Sequence, residues 1–332
     1  MKAFILDRYK APSLRYGDLP EPVSGPDDVV VEVEAASLNQ LDAKIQGGAF
    51  KPILPYKTPL ILGHDLAGTV LSVGTNVRRF KPGDAVYGRP RDGRIGTFAE
   101  RIAVHQDDLA LKPANLSMEE AASIPLVGLT AWQVLMELAQ IRPGQKILIH
   151  AGSGGVGTFA IQLAKHLGAT VATTASAANT AMVKELGADV VVDYRSQKFE
   201  QELSGYDVVL NSLDATTLET SLKVLKPGGK LISISGSPDP AFARAKGLNA
   251  VLRLVLRFMS AGIRRKAKRA GIRYSFLWMH ADGEQLTRIT KLIEDGTIRP
   301  VVDRTFAFEK LNDAFAYIET GRAKGKVVVT LK

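Results

Sequence analysis

A chain of 332 residues, 45% hydrophobic and 23% charged, has the size of two ordinary domains and enough apolar content for a core in each. It has no cysteine, which excludes disulfides, thiolate metal sites, iron–sulfur clusters and thiol nucleophiles. Its net charge of +9 is local: ten of the 43 Lys and Arg lie between Pro240 and Ala281, where there is no acid, so a nucleic-acid-binding field over the whole surface is excluded.

The N-terminus, MKAFILDRYK, lacks the shape of a signal peptide because Asp7 ends its short apolar stretch; it reads as a first strand, and a cytoplasmic address is expected. Up to about residue 118 the chain is strand-rich. DDVVVEVEAASL (27–38) alternates in its middle, LILGHDLAGTVLSVG (60–74) and DAVYG (84–88) follow, and GTFAERIAVHQDDLALKP (96–113) continues the pattern. Short strands at close spacing predict a compact antiparallel barrel. At LSMEEAASIPL the texture changes, since Ser117 with Glu120 three residues on forms a capping box. Strands and helices then alternate. The predicted strands are KILIHA (146–151), ATVATTAS (169–176), DVVVDY (189–194), YDVVLNS (206–212), GKLISISG (229–236) and YSFLWM (274–279). Helices are predicted at TFAIQLAKHLG (158–168) and NTAMVKELG (179–187). Near-continuous apolar strands between helices predict a parallel sheet covered on both faces. A helix (282–295), a strand near 300–308, a helix (310–320) and the strand KVVVTL (326–331) close the chain.

The strongest chemical signal is HAGSGGVGTFA, in which Gly152, Gly154 and Gly157 make G-x-G-x-x-G between a predicted strand and a helix. Glycines permit the tight turn and the approach of backbone to a pyrophosphate, and the helix N-terminus supplies N–H groups and partial positive charge. Gly152, Ser153, Gly154, Gly155, Val156 and Gly157 are therefore the candidate dinucleotide loop. An NAD site usually carries an acid at the end of the second strand, but here that region reads Thr173-Thr174-Ala175-Ser176. With no acid there to repel a 2′-phosphate, and with Ser176, Tyr194 and Arg195 able to donate to it, NADP(H) is the expected cofactor.

GHDLAGTVLSVG, FKPGDAVYG, GTFAE, AASIPLVGLTAW, AGSGGVG, LKPGGKLISISG and GRAKGKVVV, in this order and spacing, are similar to the medium-chain dehydrogenase/reductase superfamily over nearly the whole chain. The resemblance is to its zinc-independent quinone oxidoreductase and alkenal/enone reductase branch. It implies an α/β protein with a GroES-like barrel catalytic domain from both chain ends (1–119 and 280–332) and a Rossmann NADP(H)-binding domain of doubly wound parallel sheet between them (120–279). It also implies a homodimer paired through the 274–279 strand. In zinc-dependent members a Cys of the first barrel segment, the His of a GHE stretch and commonly a second Cys hold the metal. Here those positions are Asn39, His64 and the neighbourhood of Leu126, and Asp65 stands in place of the usual Glu. Catalytic zinc needs three protein ligands, so no metal is expected, and His64 reads as a hydrogen-bonded structural histidine.

Without a Lewis acid, oxidation of simple alcohols is implausible, whereas hydride delivery to an activated C=C needs only donors for the developing enolate. The expected function is zinc-independent, NADPH-dependent hydride transfer to the C=C of α,β-unsaturated carbonyls, to quinones, or to both. The alternative is a non-enzymatic NADPH-binding protein on the same fold: a redox sensor, a crystallin-like protein or an RNA-binding protein. By the resemblance, Asn39 is expected to bond cofactor or carbonyl, Tyr56 to act as donor or aromatic wall, and Thr130 to lie near the nicotinamide. Thr174 is assigned to the cofactor, and Asn211 and Ser235 end strands on the edge where such sheets bind ligands. Leu126 and Val127 shape the apolar side of the substrate pocket. Lys326 follows Gly325 in a closing motif near the cofactor, or is a surface charge. Some relatives place a Lys on the 2′-phosphate where this chain has Asn179. The basic segment 241–274 has helical apolar spacing over 248–259. It reads either as a surface helix on an anionic membrane or, preferred because one segment rarely anchors alone, as a solvated helix over the cofactor cleft. No specific nucleic-acid partner is expected.

Overall fold

A computed structural model describes residues 1–332 and divides the chain into two units, Met1–Leu129 with His280–Lys332, and Thr130–Met279.

The first unit is built around the 11-residue strand Asp28–Leu38, which pairs antiparallel with Asp65–Val73, Lys326–Thr330 and Arg101–His105. Ala85–Gly88 and Leu109–Leu111 extend the sheet on one side, and Val302–Ala307 adds a parallel edge on the other. A smaller sheet, Arg15–Asp18, Lys2–Leu6 and Leu60–Ile61, meets this one at the Ala3–Ala99 bridge. Phe4, Leu66, Phe98, Leu109, Phe315 and Val329 share the core that both sheets cover. Two registers matter for chemistry. Ser37 faces Asp65 across one ladder, and Leu38 faces Val327 across the other. A one-residue slip in either would turn these side chains to the opposite face.

The predicted capping box forms: the Ser117 hydroxyl accepts from the Glu120 amide at 3.2 Å and Glu120 accepts from the Ser117 amide at 3.0 Å. The boundary expected at residue 119 instead falls after Leu129. The Met118–Ala122 helix packs on the Asp28–Leu38 and Asp65–Val73 strands and buries Ala121 and Ala122 there, which ties it to the first unit.

The second unit is a six-stranded parallel sheet in the order Val190–Asp193, Thr170–Ala175, Lys146–Ile149, Tyr206–Asn211, Leu225–Ser233, Arg273–Phe276. By chain position this is 3-2-1-4-5-6, the doubly wound order whose reversal lies between the first and fourth strands. The sixth strand spans Arg273–Phe276 rather than 274–279 and forms one sheet edge. The helix predicted from residue 158 begins at Gly155, inside the glycine loop, and runs to His166.

Candidate functional site

The nucleotide loop explains each of its glycines by space. At Gly152 a Cβ would lie 2.0 Å from the Thr173 hydroxyl, and at Gly157 a Cβ would lie 2.3 Å from the Ala151 carbonyl oxygen. Both positions thus require the absence of a side chain for the strand and helix to approach. At Gly154 a Cβ would meet only the Ala151 oxygen, at 3.4 Å, so internal packing does not demand glycine there. Gly154 is the helix N-cap, has no side chain to offer the first-turn amides, and is followed by no acid in that turn. Helix-terminal N–H groups left this way suit a bound anion. Ser153, Gly155 and Val156 are partly exposed around it.

Thr174 differs from expectation. Its hydroxyl accepts from the Ala151 amide at 3.0 Å and bonds His150 Nδ1 at 3.2 Å, so the side chain supports the loop from beneath and is buried. His150 Nε2 bonds Ser221 at 2.9 Å, and burial pushes its pKa down to about 4. Ser176 is buried at the end of the second strand, while Tyr194 is 59% exposed with the Arg195 guanidinium 5.9 Å from its ring centre. The register sets Asp193 beside Ala175, an acid that scanning only the second strand overlooks. Its carboxylate accepts from the Arg195 amide at 3.1 Å, which turns it into its own loop. Asn211 Oδ1 lies 3.3 Å from both the Ser233 and Ser235 hydroxyls, and its buried Nδ2 has no partner. Ser235 donates to the Leu213 carbonyl at 2.5 Å. Thr130 is buried in the Pro125–Trp132 helix.

In the first unit, Asp65 is the hub of a buried polar network. One carboxylate oxygen accepts from the Leu126 amide at 2.7 Å. The other accepts from the Ser37 hydroxyl at 2.8 Å, Asn39 Nδ2 at 2.9 Å and Lys326 Nζ at 3.2 Å. Lys326 Nζ also donates to the Leu38 carbonyl and to Asn39 Oδ1. Its three protons are thereby all used, and it is no surface charge: 5% of the residue is exposed, against none of Asp65. Each polar atom of the Asn39 amide makes one bond inside this network, Nδ2 to Asp65 and Oδ1 from Lys326, so Asn39 positions both, and the second Nδ2 proton has no partner in the network. A second acid, Asp42, accepts from the Asn39 amide at 2.8 Å, the Gly63 amide at 3.2 Å and His64 Nδ1 at 2.6 Å. His64 is fully buried, and its Nε2 has no partner. Asp42 was not singled out from sequence, although Asn-x-x-Asp is an N-cap pattern that could have found it. Leu126 and Val127 are buried beside the network's Leu126 amide.

Tyr56 is half-buried; its hydroxyl accepts from the Gly93 amide at 3.3 Å, and burial raises its pKa above the usual phenol value. The Arg89–Gly93 loop that supplies this amide is itself anchored by the buried Arg89, paired with Asp92 at 2.7 Å. Arg89 likewise escaped the sequence reading.

Residues 25–114 match the alcohol dehydrogenase GroES-like domain and residues 186–329 match the zinc-binding dehydrogenase domain. The chain is 33% identical to the chloroplastic quinone-oxidoreductase QR1 of Triphysaria versicolor, over 99% of this chain and 98% of that protein. The chain belongs to the medium-chain dehydrogenase/reductase superfamily, in its zinc-independent branch. It is also 36% identical to the chloroplastic NADPH-dependent alkenal/one oxidoreductase of Arabidopsis thaliana, over 91% of this chain and 72% of that protein. Among solved structures, the quinone oxidoreductase from Coxiella burnetii superposes with a TM-score of 0.87 at 30% identity, covering 100% of this chain and 99% of that one.

The zinc of the dehydrogenase relatives does not fit this medium-chain reductase. His64 Nδ1 is taken by Asp42, the Asn39 oxygen by the Lys326 ammonium, and Asp65 by four donors. No three His, Asp or Glu side chains converge as a metal site. The Lys326 ammonium occupies the lone pairs of Asn39 and Asp65 that a metal would need.

Proposed function

We propose that this protein reduces the C=C of an α,β-unsaturated carbonyl, or a quinone, without a metal and with NADPH preferred over NADH. The observations that carry this reading are a built dinucleotide loop, open at Gly154, in one unit, and in the other a metal-ligand position closed by the Asn39–Lys326–Asp65 network. The names and extents of the relatives support the same chemistry.

The loop fits a nicotinamide dinucleotide: the first-turn amides after Gly154 are free of side-chain caps, and the unpartnered Asn211 Nδ2 is a further donor at a strand end. When bound, the dinucleotide supplies hydride. The amides of Gly155, Val156 and Gly157 would hold its pyrophosphate. Ser176, Tyr194 and Arg195 would receive the 2′-phosphate, Arg195 contributing charge and the two hydroxyls contributing hydrogen bonds, while Asp193, tied to its own loop, would limit the preference. Reduction of an enone places negative charge on the substrate oxygen, and the neutral Tyr56 phenol would stabilise it by donating a hydrogen bond. A phenol is protonated at neutral pH, and burial moves the Tyr56 pKa further up. The network under Asn39 gives the buried Asp65 carboxylate a cation and three further donors.

We also propose a homodimer through the Arg273–Phe276 strand, whose unpaired edge is the feature that supports it. Light scattering of the purified chain tests this. The activity test is NADPH consumption on a small enone and on a quinone, with EDTA present and products identified. Saturated ketone or hydroquinone, undiminished by EDTA, is expected. Binding of NADPH with consumption by neither substrate would refute the assignment.

A further inference from the structure

The region between Pro240 and Ala281, with ten cations and no acid, is not accounted for by nucleotide binding. It folds into three helices, Pro240–Ala245, Ala250–Met259 and Ala261–Arg269. The middle helix starts where the Asn249 side chain accepts from the Leu252 amide at 2.9 Å. Its inward face is narrow: Leu256 and Ser260 are buried and Leu252 partly so.

The outward face carries most of the apolar side chains. Val251 is 71% exposed, Leu254 52%, Val255 45% and Phe258 71%, at spacing i, i+3, i+4 and i+7, and Met259 beside them is 58% exposed. Single exposed apolar residues need no explanation, but a contiguous stripe does. At 100° per residue Arg257 borders the stripe beside Leu254, while Arg253 lies on the far side with its guanidinium donating to the Leu248 carbonyl at 2.6 Å. The next helix turns Ile263 and Ala267 inward and Arg265, Lys268 and Arg269 outward. Arg257, Arg265, Lys268 and Arg269 have no acidic partner; Lys266 pairs with Glu219 at 2.6 Å.

We propose that this surface docks on a bilayer rich in anionic phospholipid. The Ala250–Met259 helix lies in the interface plane, its apolar stripe at the headgroup–acyl boundary and its cations on the lipid phosphates. Ten residues make a helix of about 15 Å, too short to span, and apolar stripe plus unpaired cations are the two signals that reversible anchoring needs. The charge selects this occupant. A second copy of the same surface would set cations against cations. A polyanion such as RNA would use the cations but leave the stripe in water.

The proposal goes beyond the catalytic reading, and its test involves no turnover, so either can fail alone. The full chain is floated with vesicles of phosphatidylcholine and with vesicles of phosphatidylcholine and phosphatidylglycerol. Flotation is expected only with the anionic vesicles, weakened by high salt. The pair Leu254→Ser and Phe258→Ser is expected to lower partitioning about tenfold or more, as is the triple Arg265→Gln, Lys268→Gln, Arg269→Gln. These side chains are exposed, and unchanged circular dichroism and melting temperature check the fold. In Phe258→Trp, a blue shift on the anionic vesicles beyond that of the parent chain, which already carries Trp132 and Trp278, reports insertion. No flotation, or flotation unchanged by the serine pair, overturns the proposal. Salt-sensitive RNA binding without flotation makes the surface a nucleic-acid site instead, and loss of self-association in the serine pair without flotation makes it an interface between copies.

Discussion

Replacing Lys326 with Met tests whether the buried network holds the first unit together. The substitution keeps most of the side-chain volume and removes the ammonium. At the 3.2 Å separation from Asp65, the direct attraction is about 5 kcal/mol with an effective dielectric near 20. Much of that is offset by the cost of taking the ammonium out of water, which the variant no longer bears. What remains is a fully buried carboxylate still held by Ser37, Asn39 and the Leu126 amide. Those three donors keep the loss toward the lower end for a broken buried pair, about 3 kcal/mol. The unfolding of the Lys326→Met and Asp65→Asn single variants and of the double variant would be followed by urea titration with circular dichroism. Because Asp65→Asn removes the charge that Lys326→Met strands, the double variant should regain at least about 1.5 kcal/mol relative to additivity. A Lys326→Met loss below about 1 kcal/mol, or strict additivity, would refute the claim that ion pair and network act as one unit.

The nucleotide unit should weaken as pH falls through the histidine range. His150 binds its proton near pH 4 when folded but near 6.5 when unfolded, so its stability contribution is complete above 6.5 and is lost as pH drops toward 4, about 3 kcal/mol in all. In His150→Asn the melting temperature should decline less between pH 6.5 and 5; an identical decline rules out His150 as the cause. Gly154→Ala should fold normally yet bind NADPH about tenfold more weakly, whereas Gly157→Ala, with its 2.3 Å clash, should lower stability as well, as read by melting and by fluorescence titration. Tyr56→Phe should lower kcat about 10²-fold with little change in the KM for NADPH; an unchanged kcat would leave Tyr56 as an aromatic wall. Arg195→Gln should raise the KM for NADPH about tenfold and leave that for NADH unaltered; equal effects on both cofactors would remove Arg195 from the 2′-phosphate.

The sequence by itself determined whatever depends on neighbours along the chain. The glycine loop could be read because strand, turn and helix follow one another within about twenty residues. The alternation of elements carried the parallel sheet, and the missing cysteines excluded thiolate chemistry before any coordinates. Tertiary structure decided the partners of the buried polar groups. Lys326 bonds Asn39 across 287 residues of chain and Asp65 across 261. Those contacts exist only because the Asp28–Leu38 strand takes one register against Asp65–Val73 and another against Lys326–Thr330, and no local period encodes a register between distant strands. Thr174 shows the same limit: its place near a strand end was legible, but not the loop amide above it that its hydroxyl accepts from. The Ala250–Met259 helix shows the limit most simply. Its amphipathic spacing was evident, yet which face turns outward depends on what the neighbouring helices leave uncovered, and here they leave the apolar one.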